Sequence, residues 1–222
     1  MALKKAKRKP VSVNPKILLL YGAPKVGKTT MLSQLNDCLV IDTESGSHML
    51  EGYFHGVNSK EELISFYKDA SDGHDYKIFA LDTIDKLVEW TGKDVCKEMG
   101  VDDIADLPYG KGFGMVRERV MNNIKKLQSL CPKTIIVGHR KTAAAVDNST
   151  AVEPESLDLS GKLKNQLMAQ SDAIGYMFRG DEGELMISFE SGTALEAGSR
   201  CGHLRGKVFP FDWKKIYIKE SK

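Results

Sequence analysis

Residues 17–33 read ILLLYGAPKVGKTTMLS, and this stretch decides the fold. KILLLYG is an apolar run entering a glycine turn, the pattern of a buried strand. Gly22 to Thr29, GAPKVGKT, satisfies the spacing G-x4-G-K-[ST] completely, and KTTMLSQLN after it reads as a helix. Strand, glycine turn and helix together are the context in which this spacing has physical meaning. Glycines let the backbone wrap an anion with its N–H groups turned inward, and the start of the helix adds positive partial charge. Gly22, Ala23, Pro24, Lys25, Val26, Gly27, Lys28, Thr29 and Thr30 are therefore expected to cradle a triphosphate, with ATP as the ligand. Lys28 is expected to reach the β- and γ-phosphates, and the Thr29 hydroxyl to bind Mg2+. The alternative is a glycine turn with no ligand, against which the flanking elements argue.

Such a loop needs an acid on another strand. IFALD supplies Asp82 at a strand's C-terminal end, where ligands sit in open α/β sheets. Asp82 is expected in the Mg2+ shell; as a strand-terminal Asp before a helix it also has the position of an N-cap. CLVIDTE places Asp42 and Glu44 just beyond a second strand, where a carboxylate can face the γ-phosphate and act as general base. Glu44 is the candidate and Asp42 its competitor, the bland reading being a solvated acidic loop. His139, ending the strand TIIVGH, is a candidate γ-phosphate contact or simply a polar strand cap.

Working outward, Ser59 and Glu62 have the form of a capping box opening a helix through SKEELISFYKDAS. IDKLVEWTGKDVCKEMG is a second long helical segment, with Gly100 as its C-cap. LPYGKGFG reads as a glycine-rich loop before an amphipathic helix whose Val116, Val120, Ile124, Leu127 and Leu130 fall on one face and which Cys131-Pro132 ends. SGKLKNQLMAQS is helical. DAIGYMFR and ELMISFES, joined by GDEG, form an antiparallel hairpin. The tail from Thr193 reads as irregular. Strands alternating with helices predict an α/β fold with a mainly parallel central sheet. The expected organisation is a basic N-terminal arm over residues 1–15 and one ATPase domain over 16–222.

The chain has 222 residues and a formal net charge of +2, from 32 basic and 30 acidic side chains. That balance excludes a polycationic nucleic-acid coat and an acidic disordered tail protein, but not local basic surfaces. Lys4, Lys5, Lys7, Arg8 and Lys9 crowd the arm, either as a solvated terminus or as a phosphate-binding one. The apolar runs fall far short of a membrane span, which takes about 20 residues. No secretory core follows the basic start. Cys38, Cys96, Cys131 and Cys201 form no CxxC pair, which fits free thiols in a reducing cytoplasm.

On GAPKVGKTT, DTE after the second strand, FALDTID, LPYGKGFG, TIIVGH and GSRCGHLRG, the chain resembles the RecA-type recombinase core. More narrowly it resembles the phage-encoded RecA-like ATPases of single-strand annealing and recombination, over about Lys16 to Arg205. RecA-like enzymes carry their catalytic glutamate after strand two, as Glu44 stands here; AAA+ enzymes carry it beside the Walker B aspartate, where this chain has Thr83. The resemblance implies a DNA-dependent ATPase with Lys28 and Glu44 in catalysis. It also implies two DNA-lining loops, here roughly 100–114 and 140–155, both read as flexible. Tyr109, Lys111, Phe113, Arg140 and Lys141 would contact single-stranded DNA through cations and stacking faces, although Tyr109 and Phe113 have packing as an alternative. Arg200 and Arg205 stand where such proteins place basic fingers that reach a neighbour's γ-phosphate. The implied partners are single-stranded DNA, further copies in a ring or filament, and a single-strand DNA-binding protein. The implied location is the cytoplasm of a bacterial host, with no membrane. The polymerisation element and DNA-capturing domain of RecA itself have no counterpart here, and Asp147, Glu153 and Glu155 oppose a simple electrostatic case for the second loop. A helicase or packaging motor and a nucleotide-gated loader are the alternatives.

Overall fold

The computed structural model describes residues 12–141 and 155–219. Nine strands form one sheet: β1 (Ile17–Gly22), β2 (Cys38–Asp42), β3 (Phe54–Gly56), β4 (Ile78–Asp82), β5 (Lys133–His139), β6 (Ala173–Arg179), β7 (Leu185–Ser188), β8 (Gly198–Ser199) and β9 (Val208–Pro210). Their order is β3-β2-β4-β5-β1-β6-β7-β9, with β8 beside the start of β6. Pairings from β3 to β6 are parallel, and those made by β7, β8 and β9 are antiparallel. The expected α/β architecture with its antiparallel C-terminal hairpin is the one observed.

The apolar run of β1 is continuous because both of its faces are covered. Leu19 and Tyr21 join Ile41, Phe79, Leu81 and Ile136 in one core layer. Leu18 and Leu20 join Val40, Ala80, Ile135 and Val137 in the other. Period-two alternation thus supplies two cores from one run of residues. The first layer is covered by α2 (Lys60–Asp72), α3 (Ile84–Met99), α4 (Lys111–Leu130) and α5 (Gly161–Gln170), and the second by α1 (Lys28–Ser33) and α6 (Trp213–Ile216). α6 is fixed to α1 by the Trp213 indole N–H, which donates to the Met31 carbonyl at 2.6 Å.

Local signals explain the helix ends. Ser59 Oγ accepts from the Glu62 N–H at 3.2 Å, while Glu62 Oε2 reaches one residue further back than expected, to the Asn58 N–H at 2.7 Å. Gly100 closes α3 at φ 65°. The stretch 100–114 departs from the expected flexible loop. It holds two short 3-10 turns, Ile104–Asp106 and Pro108–Gly110, and α4 already begins at Lys111. Asp103 and Asp106 form a reciprocal capping box. Gly112 is a contact point, since a Cβ there would stand 2.3 Å from the Ile104 carbonyl oxygen. The tail is also more ordered than expected, adding β8, β9 and α6. Cys38, Cys131 and Cys201 are buried free thiols and Cys96 is half-buried. Among the described residues, no helix is long and apolar enough to cross a membrane.

Candidate nucleotide site

The loop Gly22–Thr29 leaves β1 at the C-terminal edge of the sheet. Gly22 is confined by its neighbour, because a Cβ would meet the Met177 carbonyl oxygen of β6 at 2.4 Å. Gly27, the N-cap of α1, has φ 119°, a conformation that side chains with a Cβ rarely adopt. Val26 is buried, while Pro24, Lys25 and Thr30 are exposed. Lys28 is buried, and its ammonium donates to the carbonyls of Gly22 (3.0 Å) and Ala23 (2.9 Å). Burial lowers its pKa, against the pull of Asp82, Asp85 and Glu44. A phosphate oxygen would exchange two neutral acceptors for a charged one.

β5 lies between β1 and β4, yet the start of α1 closes that gap. Thr29 Oγ1 donates to Asp82 Oδ2 at 2.6 Å. Asp82 is 5% exposed, and burial pushes its carboxyl up to about 6, opposed by the Thr29 hydrogen bond and Lys28. Asp82 does not cap α3; Thr83 holds the N-cap position, without a side-chain cap bond. The donor set fits Mg2+. Two hard oxygens meet where a buried carboxylate lacks charge compensation, and no cluster of three or more His, Cys, Asp or Glu ligands exists among the described residues. Magnesium is commonly held by one or two protein oxygens, completing its octahedron with phosphates and water.

The two acids after β2 have different surroundings. Asp42 accepts backbone N–H bonds from Glu44 (3.0 Å), Gly46 (3.3 Å) and Ser47 (3.0 Å). Burial raises its pKa, but the bonds from Ser47, Glu44 and Gly46 outweigh it and hold the carboxyl below its ordinary value. Its oxygens are engaged in shaping the loop. Glu44 is exposed, and its Oε1 accepts from Thr83 Oγ1 at 3.0 Å. Beneath it, the Thr83 N–H donates to Thr43 Oγ1 at 2.8 Å, and the Thr43 N–H to the Asp82 carbonyl at 2.8 Å. These bonds tie the ends of β2 and β4 together. His139 is the register partner of Gly22. Its backbone N–H donates to Asp85 Oδ2 at 3.3 Å and its Nδ1 lies 3.4 Å from the same oxygen, an interaction that raises the imidazole pKa. Thr83 and Asp85 were not singled out by sequence, although both follow Asp82 within three residues.

The remaining expected residues lie elsewhere. Tyr109 is fully exposed at φ 57°, which removes packing as its role, and Lys111 and the 44%-exposed Phe113 stand beside it. Tyr109 and Phe113 line a cavity of about 450 Å³ between α3, α4 and the start of α5. Arg140 is already engaged, donating to Glu155 Oε1 (2.9 Å) and the Tyr176 hydroxyl (3.1 Å). Lys141 is exposed. The rest of the second expected loop, residues 142–154, lies outside the described residues, as do residues 1–11 of the basic arm. Arg200 donates to the Ala169 carbonyl, and Arg205 to the carbonyls of Ser199 (3.1 Å) and Arg200 (3.2 Å). Both follow β8, which pairs with the N-terminal end of β6, whereas Gly22 pairs with Met177 near the other end. They therefore stand at the sheet edge opposite their own phosphate loop.

A comparison with protein families decides the wider identity: the AAA domain profile matches residues 14–201, from before β1 through β8. The chain belongs to the AAA domain family. Its phosphate loop, Asp82 and parallel sheet are those of a P-loop NTPase, a nucleotide-binding and hydrolysing fold. A more distant similarity is to the SPbeta prophage-derived uncharacterized protein YorG of Bacillus subtilis strain 168, at 25% identity over 149 residues. That match covers 63% of this AAA domain chain and 44% of YorG, so the chain spans less than half of that relative's length.

Proposed function

We propose that this AAA domain protein is a Mg2+-dependent, RecA-like ATPase that acts on single-stranded DNA in recombination or repair, promoting annealing or strand exchange as a homo-oligomer. The observation that carries the reading is the Glu44–Thr83 hydrogen bond, which holds an exposed carboxylate beside the strand end bearing Asp82. In this mechanism the loop amides and Lys28 bind the phosphates, and Thr29 with Asp82 holds Mg2+, which neutralises charge on the β- and γ-oxygens. Glu44 orients water and takes its proton, a contribution of about 10²–10⁴-fold. His139, in register with Gly22, is placed to hydrogen-bond the γ-phosphate. DNA contact rests on exposed Tyr109, Lys111 and Phe113, with Lys141 beyond β5. Contact between copies rests on Arg200 and Arg205, whose position leaves them only a neighbour's phosphates to serve. The prophage origin of the YorG relative supports a phage-encoded role in a bacterial host.

The engagement of Arg140 by Glu155 takes one cation from the DNA surface and favours the alternative of a nucleotide-gated loader. Hydrolysis measured with and without single-stranded DNA, at several protein concentrations, separates the two. Stimulation by DNA, with specific activity rising with concentration, supports the proposal. Activity indifferent to DNA sinks it in favour of the loader.

A further inference from the structure

The phosphate loop has a second flank, facing away from Asp82 and Glu44. Here an open cleft of about 480 Å³ runs along the loop and is lined by Lys25, Arg140, Tyr176, Phe178 and Arg179. The order β4-β5-β1-β6 puts the metal-binding and water-activating groups on one side of the loop and this cleft on the other. A linear triphosphate with its γ end toward Asp82 therefore emerges here with its nucleoside.

The lining suits that end of the molecule. Tyr176 is fixed from behind, its ring 5.2 Å from Tyr21 and its hydroxyl accepting from Arg140. Phe178 stacks on Tyr176 at 5.6 Å and 13°, extending a half-exposed aromatic surface into the cleft. On the loop side, Arg179 Nη2 lies 3.5 Å from where a Gly27 Cβ would be, and Nη1 donates to the Gly183 carbonyl at 3.0 Å. Arg140 is matched by Glu155, whereas Arg179 is held by a backbone carbonyl and keeps its charge for an anion.

We infer that this cleft is the nucleoside subsite: Phe178, backed by Tyr176, stacks the base, and Arg179 contacts the phosphates nearest the ribose. The inference rests on the ATPase reading above, and inorganic tripolyphosphate tells the two apart, because it fills the phosphate loop and carries no base.

Dissociation constants for MgATP and magnesium tripolyphosphate, measured by calorimetry on the full chain, test it. Phe178→Leu keeps apolar bulk and loses the aromatic face; it is expected to weaken MgATP about tenfold and leave tripolyphosphate within about twofold, with Phe178→Tyr restoring MgATP binding. Arg179→Ala is expected to weaken both ligands about tenfold, as loss of a charge-assisted contact does. Unchanged MgATP binding in Phe178→Leu, or equal loss of both ligands, overturns the subsite. Lys28→Ala serves as the separate control: if it binds both ligands as wild type does, the phosphate-loop reading itself fails.

Discussion

Thr83 and Glu44 belong to different strand ends, yet the Thr83 hydroxyl donates a 3.0 Å hydrogen bond to the Glu44 carboxylate. The residue after the metal-site aspartate thus orients the candidate base in place of supplying one. Glu44→Gln should retain ATP binding and lose turnover by at least about 100-fold. Thr83→Val should keep Glu44 but release it, lowering kcat by about tenfold with KM little changed, the mark of a positioning contact. Steady-state kinetics on both variants checks this; near wild-type turnover in Glu44→Gln refutes the assignment.

Asp82 links the site to stability. A carboxyl whose pKa is raised in the fold favours the folded state when protonated. Its contribution is full below about 4 and is lost as pH rises through about 6. A rise of about two pH units corresponds to about 3 kcal/mol at neutral pH. Without nucleotide, Asp82→Asn should therefore melt higher than wild type at pH 7.5, and the gap should close at pH 4. Thermal melts at the two pH values check it, and Mg2+ dependence of ATP binding should weaken in the same variant.

Gly22 illustrates steric rather than conformational need. Gly22→Ala drives a methyl against the Met177 carbonyl, 2.4 Å from the Cβ position. The expected cost is about 1–3 kcal/mol, read by urea unfolding, together with a loss of ATP affinity because the loop enters from this residue.

Tyr109 separates surface function from packing. Its side chain is fully exposed and its backbone stands at φ 57°, which glycine adopts without strain. Tyr109→Gly should match or exceed wild-type thermal stability while reducing stimulation of hydrolysis by single-stranded DNA. Unaltered stimulation would remove Tyr109 from the DNA surface.

The basic arm makes its own prediction. Deleting residues 1–9 should lower DNA affinity and flatten its dependence on salt. Each phosphate that the arm no longer neutralises takes nearly one unit from the slope on B-form duplex and about 0.7 on single strands. Binding isotherms at three salt concentrations check it, and an unchanged slope assigns the arm to solvent.

What the sequence carried plainly were features written locally. The phosphate loop, the run in β1, the Ser59 cap and the Gly100 terminator each depend on neighbours a few residues away. β3, β8 and β9 escape such a reading because two or three residues cannot display a period. The glycines around Tyr109 suggested mobility, but Gly112 lies where α4 presses on Ile104, a contact that spacing does not reveal. Within the site, Lys28, Thr29 and Asp82 were legible as motif positions. The choice between Asp42 and Glu44 needed the hydrogen bonds that occupy one and expose the other. The pairing of Arg140 with Glu155 and the approach of Arg179 to Gly27 join distant segments, so chemistry alone could not place them.

The bond from Trp213 to Met31 gives the chain an optical reporter of its own nucleotide loop. The chain has two tryptophans, and Trp90 lies on α3, across the sheet from α1. Replacing Trp90 by Phe leaves emission from the indole that grips the helix following the loop. Ring contacts with Phe211 and Tyr217 surround that indole. Any shift of α1 as the loop closes on phosphate alters the polarity and hydrogen bonding it senses, so nucleotide entry and release become visible as a change of emission in real time, without a label.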